Sequence, residues 1–345
     1  MINPFFKSNI LVVRLIGVVL TISVLLGNAG LAKAEVEASD PSEPFNPGDM
    51  IMHHILDSHV WHLWDGSYGT IHLPIIVYTS DNGIEVFSSS NFYDEEHNLV
   101  TYNDFTLEHE HISHASGATV YDFSITKNVA ALLINALVML LVFTAVARGF
   151  KKNEGRAPKG IQSIFEPIII YIRDEVIKPN IGHGYEKYVP YLLSLFFFIW
   201  FGNLFGLMPG AANLTGNIAV TATLAIFTFF ITNFSGNANY WKHIFWTPGV
   251  PLPLRIIILP VELIGVFTKP ISLMVRLFVA ISAGHIVILS LIGMAFIFHS
   301  YTVGIGSSLI LVFINLIEIL VASIQAYVFT IFTAVYIGMA TEEAH

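Results

Sequence analysis

Four ionisable side chains stand inside long apolar stretches in the last quarter of the chain: Glu262, Arg276, His285 and Glu318. Placing a charge at the centre of a bilayer costs roughly 2.5 to more than 10 kcal/mol, so such residues persist mainly where they are paired, hydrated or used. Arginine stays protonated in proteins, so burial cannot neutralise it. Histidine and glutamate carry protons near neutral pH when their environment is tuned. This set of residue types indicates proton movement inside a membrane.

The spacing of these residues places them at different depths. Glu262 precedes Arg276 by 14 residues, about 21 Å along a helix axis, and His285 follows it by nine, about 13–14 Å. Glu318 and Gln325 are seven residues apart and share a helix face. Lines of Asp, Glu and His inside a membrane form proton relays. The alternative is structural: a buried ion pair between Arg276 and Glu262 or Glu318.

The composition indicates which class of protein must position these residues. Of 345 residues, 54% are hydrophobic and only 12% are charged, about half the usual share for a soluble domain. The chain is therefore predicted to be a polytopic membrane protein. It has no cysteine, which excludes disulfides and thiolate metal sites, and its net charge of −9 argues against nucleic acid as a partner. No phosphate-binding G-x-x-x-x-G-K-[ST] loop occurs, so we expect no nucleotide site, no enzyme activity of the chain alone and no cofactor.

Apolar stretches of membrane-spanning length predict an all-α membrane domain over residues 127–345. The five predicted spans are about 128–148, 188–208, 216–236, 256–297 and 307–340. The last two exceed the usual length, so we expect long, tilted or bent helices. Residues 161–178 combine apolar residues at helical spacing with charges, which predicts an amphipathic helix on the membrane surface. Five basic residues follow the first span and place its end in the cytoplasm: Arg148, Lys151, Lys152, Arg156 and Lys159.

The region before the first span has a different composition. Residues 1–34 combine basic residues, a short apolar stretch and Ala32-Lys33-Ala34, which favours a cleaved signal peptide over a retained membrane helix. Residues 35–126 contain 16 Asp/Glu, no Lys or Arg, and nine of the 14 histidines. We expect a small acidic extracytoplasmic segment, with short strands at Ile71–Tyr78 and Gly83–Phe87.

The histidines of this segment raise the question of a metal site. One group could share a helical surface and bind a metal, since histidine is the commonest metal ligand: His53, His54, His59 and His62. A second group is His109, His111 and His114. Neither group has a recognised ligand spacing, so we predict no metal site. A solvated acidic segment is the favoured interpretation.

Three motifs carry a family resemblance over about residues 120–345. The first is K-P-I-S-L-M-V-R-L-F at 269–278, followed by A-G-H at 283–285. The second is I-Q-A-Y-V-F at 324–329, which continues through Tyr336 to Glu342-Glu343. The third and weaker is N-L-F-G-L-M-P-G at 203–210. Together they resemble subunit a of the F-type ATP synthases.

The resemblance implies roles for individual residues. Arg276 would be the essential, catalytic arginine that meets the membrane carboxylate of each c-subunit in turn. Gln325 would sit opposite it, and Glu262 would lie near the cytoplasmic exit for protons. His285 and Glu318 are exchanged relative to many bacterial members, which suggests that they act together in the outer access channel.

Further expectations come from the same resemblance. Ser282, near His285, would line the proton path. The partners would be the ring of c-subunits, the peripheral-stalk subunit b, the lipid bilayer and, indirectly, the soluble catalytic head. The chain would lie in a bacterial inner membrane. Its own basic cluster and five crossings, counted from an N-terminal segment in the periplasm, place the C-terminus in the cytoplasm. Ala280, Asn217 and Ala219 depart from the family pattern, so roles at those positions are not carried over.

Two other classes of function could use a chain of this kind. A self-contained proton-coupled transporter could use the same buried charges, but the chain shows neither internal repeats nor paired broken helices. A structural anchor or receptor would not explain why Arg276 is charged within an apolar helix. The stator subunit of a rotary proton channel is therefore the favoured function.

Overall fold

The computed structural model describes residues 57–62, 69–80, 83–94, 98–108, 110–208, 210–246, 251–298 and 301–342. The predicted signal peptide, residues 1–34, and His53, His54 and His109 lie outside the described residues. Among the described residues, five helices are long and apolar enough to cross a membrane, which confirms the predicted polytopic fold. The helices are α1 (Lys127–Lys152), α2 (Gln162–Tyr171), α3 (Lys178–Ile181), α4 (Val189–Gly206), α5 (Ile218–Ser235), α6 (Ala238–Phe245), α7 (Leu252–Phe298) and α8 (Tyr301–Thr341).

The last two helices dominate the membrane domain. Helix α7 has 47 residues and α8 has 41, about twice the length needed to cross a bilayer directly. They pack against each other, and α8 also packs on α4 and α5. Two prolines, Pro260 and Pro270, lie inside α7, and each removes a backbone donor from the helix ladder.

The predicted amphipathic helix is only partly a surface element. A six-residue π-helical segment, Ile172–Ile177, joins α2 to α3. Its residues Ile172, Val176 and Ile177 are fully buried in the main hydrophobic core with α4 and α8. Gly338 of α8 lies directly on the carbonyl of Asn180, so any side chain at position 338 would collide with that backbone. The helix therefore packs into the bundle with one side and exposes the other.

Residues 57–126 contain a small β domain. It consists of the pairs β1 (Val60–His62) with β2 (Thr70–His72) and β5 (Phe105–Glu108) with β6 (His111–His114), and of a sheet in the order β4 (Gly83–Ser88), β3 (Pro74–Thr79), β7 (Val120–Asp122). All pairs are antiparallel. The single strand expected at Ile71–Tyr78 is divided at Leu73, because the two halves pair with different partners.

The three-stranded sheet is apolar on both faces. Ile75 and Val77 point into a core with Phe92 and Phe105, and all four are fully buried. The strand register places Tyr78, Ile84, Val86 and Tyr121 together on the opposite face, where they are 43–72% exposed.

The β domain is attached to the helices at two places. Asp57 accepts hydrogen bonds from the backbone N–H of Asn128 (3.0 Å) and the hydroxyl of Thr126 (2.8 Å), so it caps the start of α1. A carboxylate also suits the positive end of a helix dipole. The indole N–H of Trp61 donates to the carbonyl of Gly210 (2.7 Å), in the loop between α4 and α5. The domain therefore covers the end of the bundle where α1 begins.

His59 is buried between two carboxylates of the β domain. Its ring nitrogens lie 3.1 Å from Glu110 and 3.2 Å from Asp122, and the side chain is 3% exposed. Burial lowers the pKa of His59, but hydrogen bonds and charges from both carboxylates outweigh it and raise the pKa to about 9. Burial raises the pKa of Asp122, but hydrogen bonds from His59 and Ser124 lower it to about 2. The helical histidine surface expected here is wrong in its described part, since His62 lies in β1.

The His59 cluster makes the stability of the β domain depend on pH. Its contribution is complete below about pH 6.5, the ordinary pKa of histidine, and is lost as the pH rises through about 9. On the acid side, the Asp122 contribution is lost as the pH falls through about 2. We expect His59→Gln to abolish the loss of stability at alkaline pH, because no titrating ring remains. Limited proteolysis of the full-length protein between about pH 6 and 10 measures this, with the exposed His111→Gln as control. An unchanged alkaline profile in His59→Gln would contradict the assignment.

Candidate functional site

Helices α7 and α8 run antiparallel and bring the sequence-predicted residues into facing positions. Lys269 lies against the ring of Tyr336, and Arg276 against that of Phe332. About two and a half turns further along α7, His285 faces Glu318. The hairpin thus positions residues that are far apart in sequence at successive levels along one axis.

Arg276 has no charged partner among the described residues of its chain. It forms no ion pair or hydrogen bond with them, and its guanidinium carbon lies 4.5 Å from the centre of the Phe332 ring. The neighbouring Leu273 and Leu277 are 2% and 1% exposed, whereas Arg276 itself is exposed. The arginine therefore points out of the bundle. The structural alternative, an ion pair with Glu262 or Glu318, is not found in the described part of the structure.

His285 and Glu318 face each other at a distance slightly longer than a hydrogen bond. Nδ1 of His285 and Oε1 of Glu318 are 3.8 Å apart, and the side chains are 22% and 9% exposed. Nδ1 of His285, Oε2 of Glu318 and the hydroxyl of Ser282 are buried without a hydrogen-bond partner among the described residues. Buried polar groups normally have such partners. These three groups form a polar environment in which a proton can be accepted and passed on.

Gly284 allows this approach of α8 to α7. A Cβ atom at position 284 would collide with the carboxylate of Glu318. The sequence contains this glycine in its A-G-H motif, but nothing in the sequence indicates what it faces. Only the position of Glu318 on the opposite helix shows that the absence of a side chain is required here.

A series of buried hydrogen bonds beside Glu318 could not be predicted from the sequence. The amide of Asn203 donates to the carbonyl of Ala322 (3.1 Å) and accepts from the hydroxyl of Thr215 (2.6 Å). The indole of Trp200 donates to the hydroxyl of Ser323 (3.0 Å). The only sequence signal is the N-L-F-G-L-M-P-G motif that begins at Asn203. These contacts fix α4 to the turn of α8 that follows Glu318.

The other predicted residues lie away from this pair. Glu262 is partly buried on α7, two turns before Lys269, and thus on the opposite side of Arg276 from His285. A small cavity of about 10 Å³ lies near Lys269 and is also lined by Thr232, Asn233 and Tyr336, about the space of one water molecule. Gln325 of α8 makes no hydrogen bond within the described structure.

No group of three or more His, Asp or Glu side chains among the described residues could hold a metal ion. The polar groups of the membrane domain are instead distributed in two sets, one on each side of Arg276. Such an arrangement can guide protons to and from a charged centre.

The fold and the site define a multi-pass membrane protein of the proton-transport class, with an arginine that faces outward. Residues 129–338 match the model of the family described as ATP synthase A chain. The chain belongs to this family and is a non-catalytic subunit of an ATP synthase. Residues 50–131 also match a domain of unknown function, DUF8433.

Alignments with relatives cover most of this chain. ATP synthase subunit a 2 of Chlorobaculum tepidum is 40% identical over 320 residues, which are 91% of this chain and 78% of that protein. ATP synthase subunit a 2 of Prosthecochloris aestuarii is 40% identical over 347 residues, 94% and 93% of the two chains. ATP synthase subunit a of Chloroherpeton thalassium is 44% identical over 266 residues, 73% and 79%.

The collision at Gly284 gives a direct test of the Glu318 position. We expect Gly284→Ala to lower proton-driven ATP synthesis by at least about tenfold, because the new methyl group displaces the Glu318 carboxylate. Gly265→Ala on the same helix is the matched control, since a Cβ there has no neighbour within 4 Å. Alanine favours helix equally at both sites. Equal activity of the two variants in reconstituted complex would show that the Glu318 position is unimportant.

Proposed function

We propose that this chain is the stator subunit of the proton channel of an F-type ATP synthase and that Arg276 acts on the carboxylates of a rotating c-ring. The observation that carries the proposal is the unpaired, outward-facing guanidinium of Arg276 in an apolar helix, without a counter-charge among the described residues. A permanent charge in that position must be hydrated or paired, and an anionic partner from outside the chain would supply the pairing that the described residues do not. A membrane carboxylate that moves past the arginine satisfies this need at each step of rotation.

The chemistry of each step follows from electrostatics. The guanidinium stabilises the ionised form of an approaching carboxylate, so the carboxylate releases its proton. The same positive charge opposes direct transfer of a proton past the arginine. Protons must therefore leave on one side and enter on the other, and each passage requires the ring to turn.

Phe332 supports exchange of the arginine between carboxylates. Two unit charges about 4 Å apart attract by about 4 kcal/mol at an effective dielectric constant of about 20, so an unscreened pair would slow rotation. The Phe332 ring offers a weaker interaction, on the order of 0.5–2 kcal/mol, that holds the guanidinium between encounters. Gln325, two helical turns before Phe332 on α8, supplies a further polar group.

The two polar sets on either side of Arg276 form the two half-channels. Protons enter through His285, Glu318 and Ser282 on the side covered by the β domain, and they leave on the side of Glu262. We place the β domain in the periplasm and the C-terminus in the cytoplasm of a bacterial cell. The basic residues after α1 support this orientation. The c-ring, a peripheral stalk with subunit b and the soluble catalytic head complete the assembly.

Replacement of Arg276 tests the proposed role. We expect Arg276→Ala to abolish proton-driven ATP synthesis and to allow passive proton leak, because both the attraction and the barrier are lost. Arg276→Lys keeps the charge but not the planar fork, so we expect less than about a tenth of the wild-type rate. Both are measured in liposomes that contain the whole complex, with co-purification of the c-ring as the assembly control. Synthesis above a few per cent in Arg276→Ala would refute the role.

The alternative of a self-contained transporter has a separate test. Purified chain without other subunits, reconstituted into vesicles, should conduct no protons above the lipid background. Conduction by the isolated chain that is lost in Arg276→Ala would favour the transporter. The absence of a counter-charge for Arg276 among the described residues favours the rotary function, because a complete transporter would contain its own.

His285 and Glu318 should act as one unit. We expect the single variants His285→Ala and Glu318→Ala each to lower proton entry strongly and the double variant to lower it little further, because the pair is only 3.8 Å apart. A double-mutant cycle on the initial rate of ATP synthesis measures this coupling. Simple additivity of the two losses would show that the side chains work independently.

A further inference from the structure

The β domain lies outside the ATP synthase A chain match, which begins at residue 129. Its sequence matches a domain of unknown function, and the proposed proton path does not pass through it. One of its two attachments to the membrane domain, however, falls on the loop that leads to the Glu318 region.

The first contact is made by Trp61. Its indole N–H is a donor only, and it points at the carbonyl of Gly210, 2.7 Å away. Gly210 has a backbone φ of 74°, a conformation that glycine adopts without strain. The bond holds the loop between α4 and α5 at Gly210.

The same loop continues into a buried turn. Asn213 accepts a hydrogen bond from the N–H of Gly216 (3.0 Å), which closes the 3-10 turn Leu214–Gly216. Leu214 and Thr215 of this turn are 2% and 0% exposed. The surface contact at Gly210 is thus five residues from a side chain at the centre of the bundle.

From Thr215 the contacts lead to α8. Its hydroxyl donates to Asn203, and Asn203 donates to the carbonyl of Ala322. Ala322 lies one helical turn after Glu318. A series of hydrogen bonds and one short loop therefore joins Trp61 to the backbone beside the proposed proton-entry carboxylate.

A second attachment joins the domain to the start of α1. Asp57 caps α1 through Thr126 and Asn128, and the carbonyl of Ser58 accepts from the N–H of Lys127 (2.8 Å). Only His59 separates Ser58 from β1, which contains Trp61. The indole is thus held relative to α1, and it transmits this fixed position to the loop.

We propose that the β domain is a brace for the proton-entry half-channel and that Trp61 is its positioning residue. It acts through Thr215 and Asn203 to set the position of Glu318 relative to His285. This inference rests on the proposed function, because it assigns proton entry to that pair. A gap of 3.8 Å is longer than a hydrogen bond, so a small shift of α8 changes how readily the two groups exchange a proton.

The test uses the whole ATP synthase in liposomes, with the pH on the entry side varied and the other side fixed. Trp61→Phe keeps an aromatic ring and removes the donor. We expect it to lower the initial rate of ATP synthesis about two- to tenfold, the effect of one hydrogen bond, and to shift the entry-side pH of half-maximal rate. Tyr121→Phe is the control, since Tyr121 is 57% exposed on the free sheet face. It should behave like wild type.

A merely structural role of Trp61 predicts another result. Loss of folded complex would lower the maximal rate in proportion to the amount of assembled enzyme and would leave the entry-side pH midpoint unchanged. That outcome would overturn the proposal. Thr215→Val provides a second probe, because it removes the hydrogen bond from Thr215 to Asn203 further along the same series. Coupling between Trp61→Phe and Thr215→Val supports the brace, whereas additive effects on the midpoint contradict it.

Arg276→Ala in the same assay separates this inference from the proposed function. If Arg276→Ala retains synthesis, the proposed function itself fails. If Arg276→Ala abolishes synthesis while Trp61→Phe and Thr215→Val both keep the wild-type rate and pH midpoint, only the brace fails.

Discussion

Arg276 must remain charged inside a membrane, and its own chain offers it a phenylalanine ring but no carboxylate among the described residues. Most of the helix bundle can be understood from this constraint. Leu273 and Leu277 pack inward and turn the arginine outward. The long hairpin of α7 and α8 then places Glu262 on one side of it and the pair of His285 and Glu318 on the other. The described part of the chain thus leaves this charge without an anionic partner, which is the condition that the proposed function needs.

The sequence predicted the membrane fold well because lipid imposes a simple rule. A helix must be apolar over its full crossing, and that length can be counted in the sequence. Charges that interrupt such a stretch are equally visible, so Arg276, His285 and Glu318 could be singled out from the sequence alone. The burial of Ile172, Val176 and Ile177 could not, because an apolar face looks the same whether it meets lipid or protein.

Contacts between distant residues were beyond sequence reasoning. His59 meets Glu110 and Asp122 across 51 and 63 residues, and Asn203 meets Ala322 across 119. No local spacing encodes such pairs. Gly284 illustrates the same limit, since a glycine within a helix is explained only by what the neighbouring helix places against it. The strand prediction was wrong at Leu73 for a related reason, because pairing partners rather than local alternation decide where a strand ends.

The prolines of α7 have a mechanical consequence. Pro270 cannot donate to the carbonyl four residues earlier, on Val266, and Val266 and Pro270 both border the small cavity beside Lys269. One backbone hydrogen bond of the helix is therefore missing at this point, six residues before Arg276. Under the proposed function, a helix that bends more easily just before Arg276 would let the guanidinium follow a passing carboxylate over a short distance while the far end of the helix stays fixed.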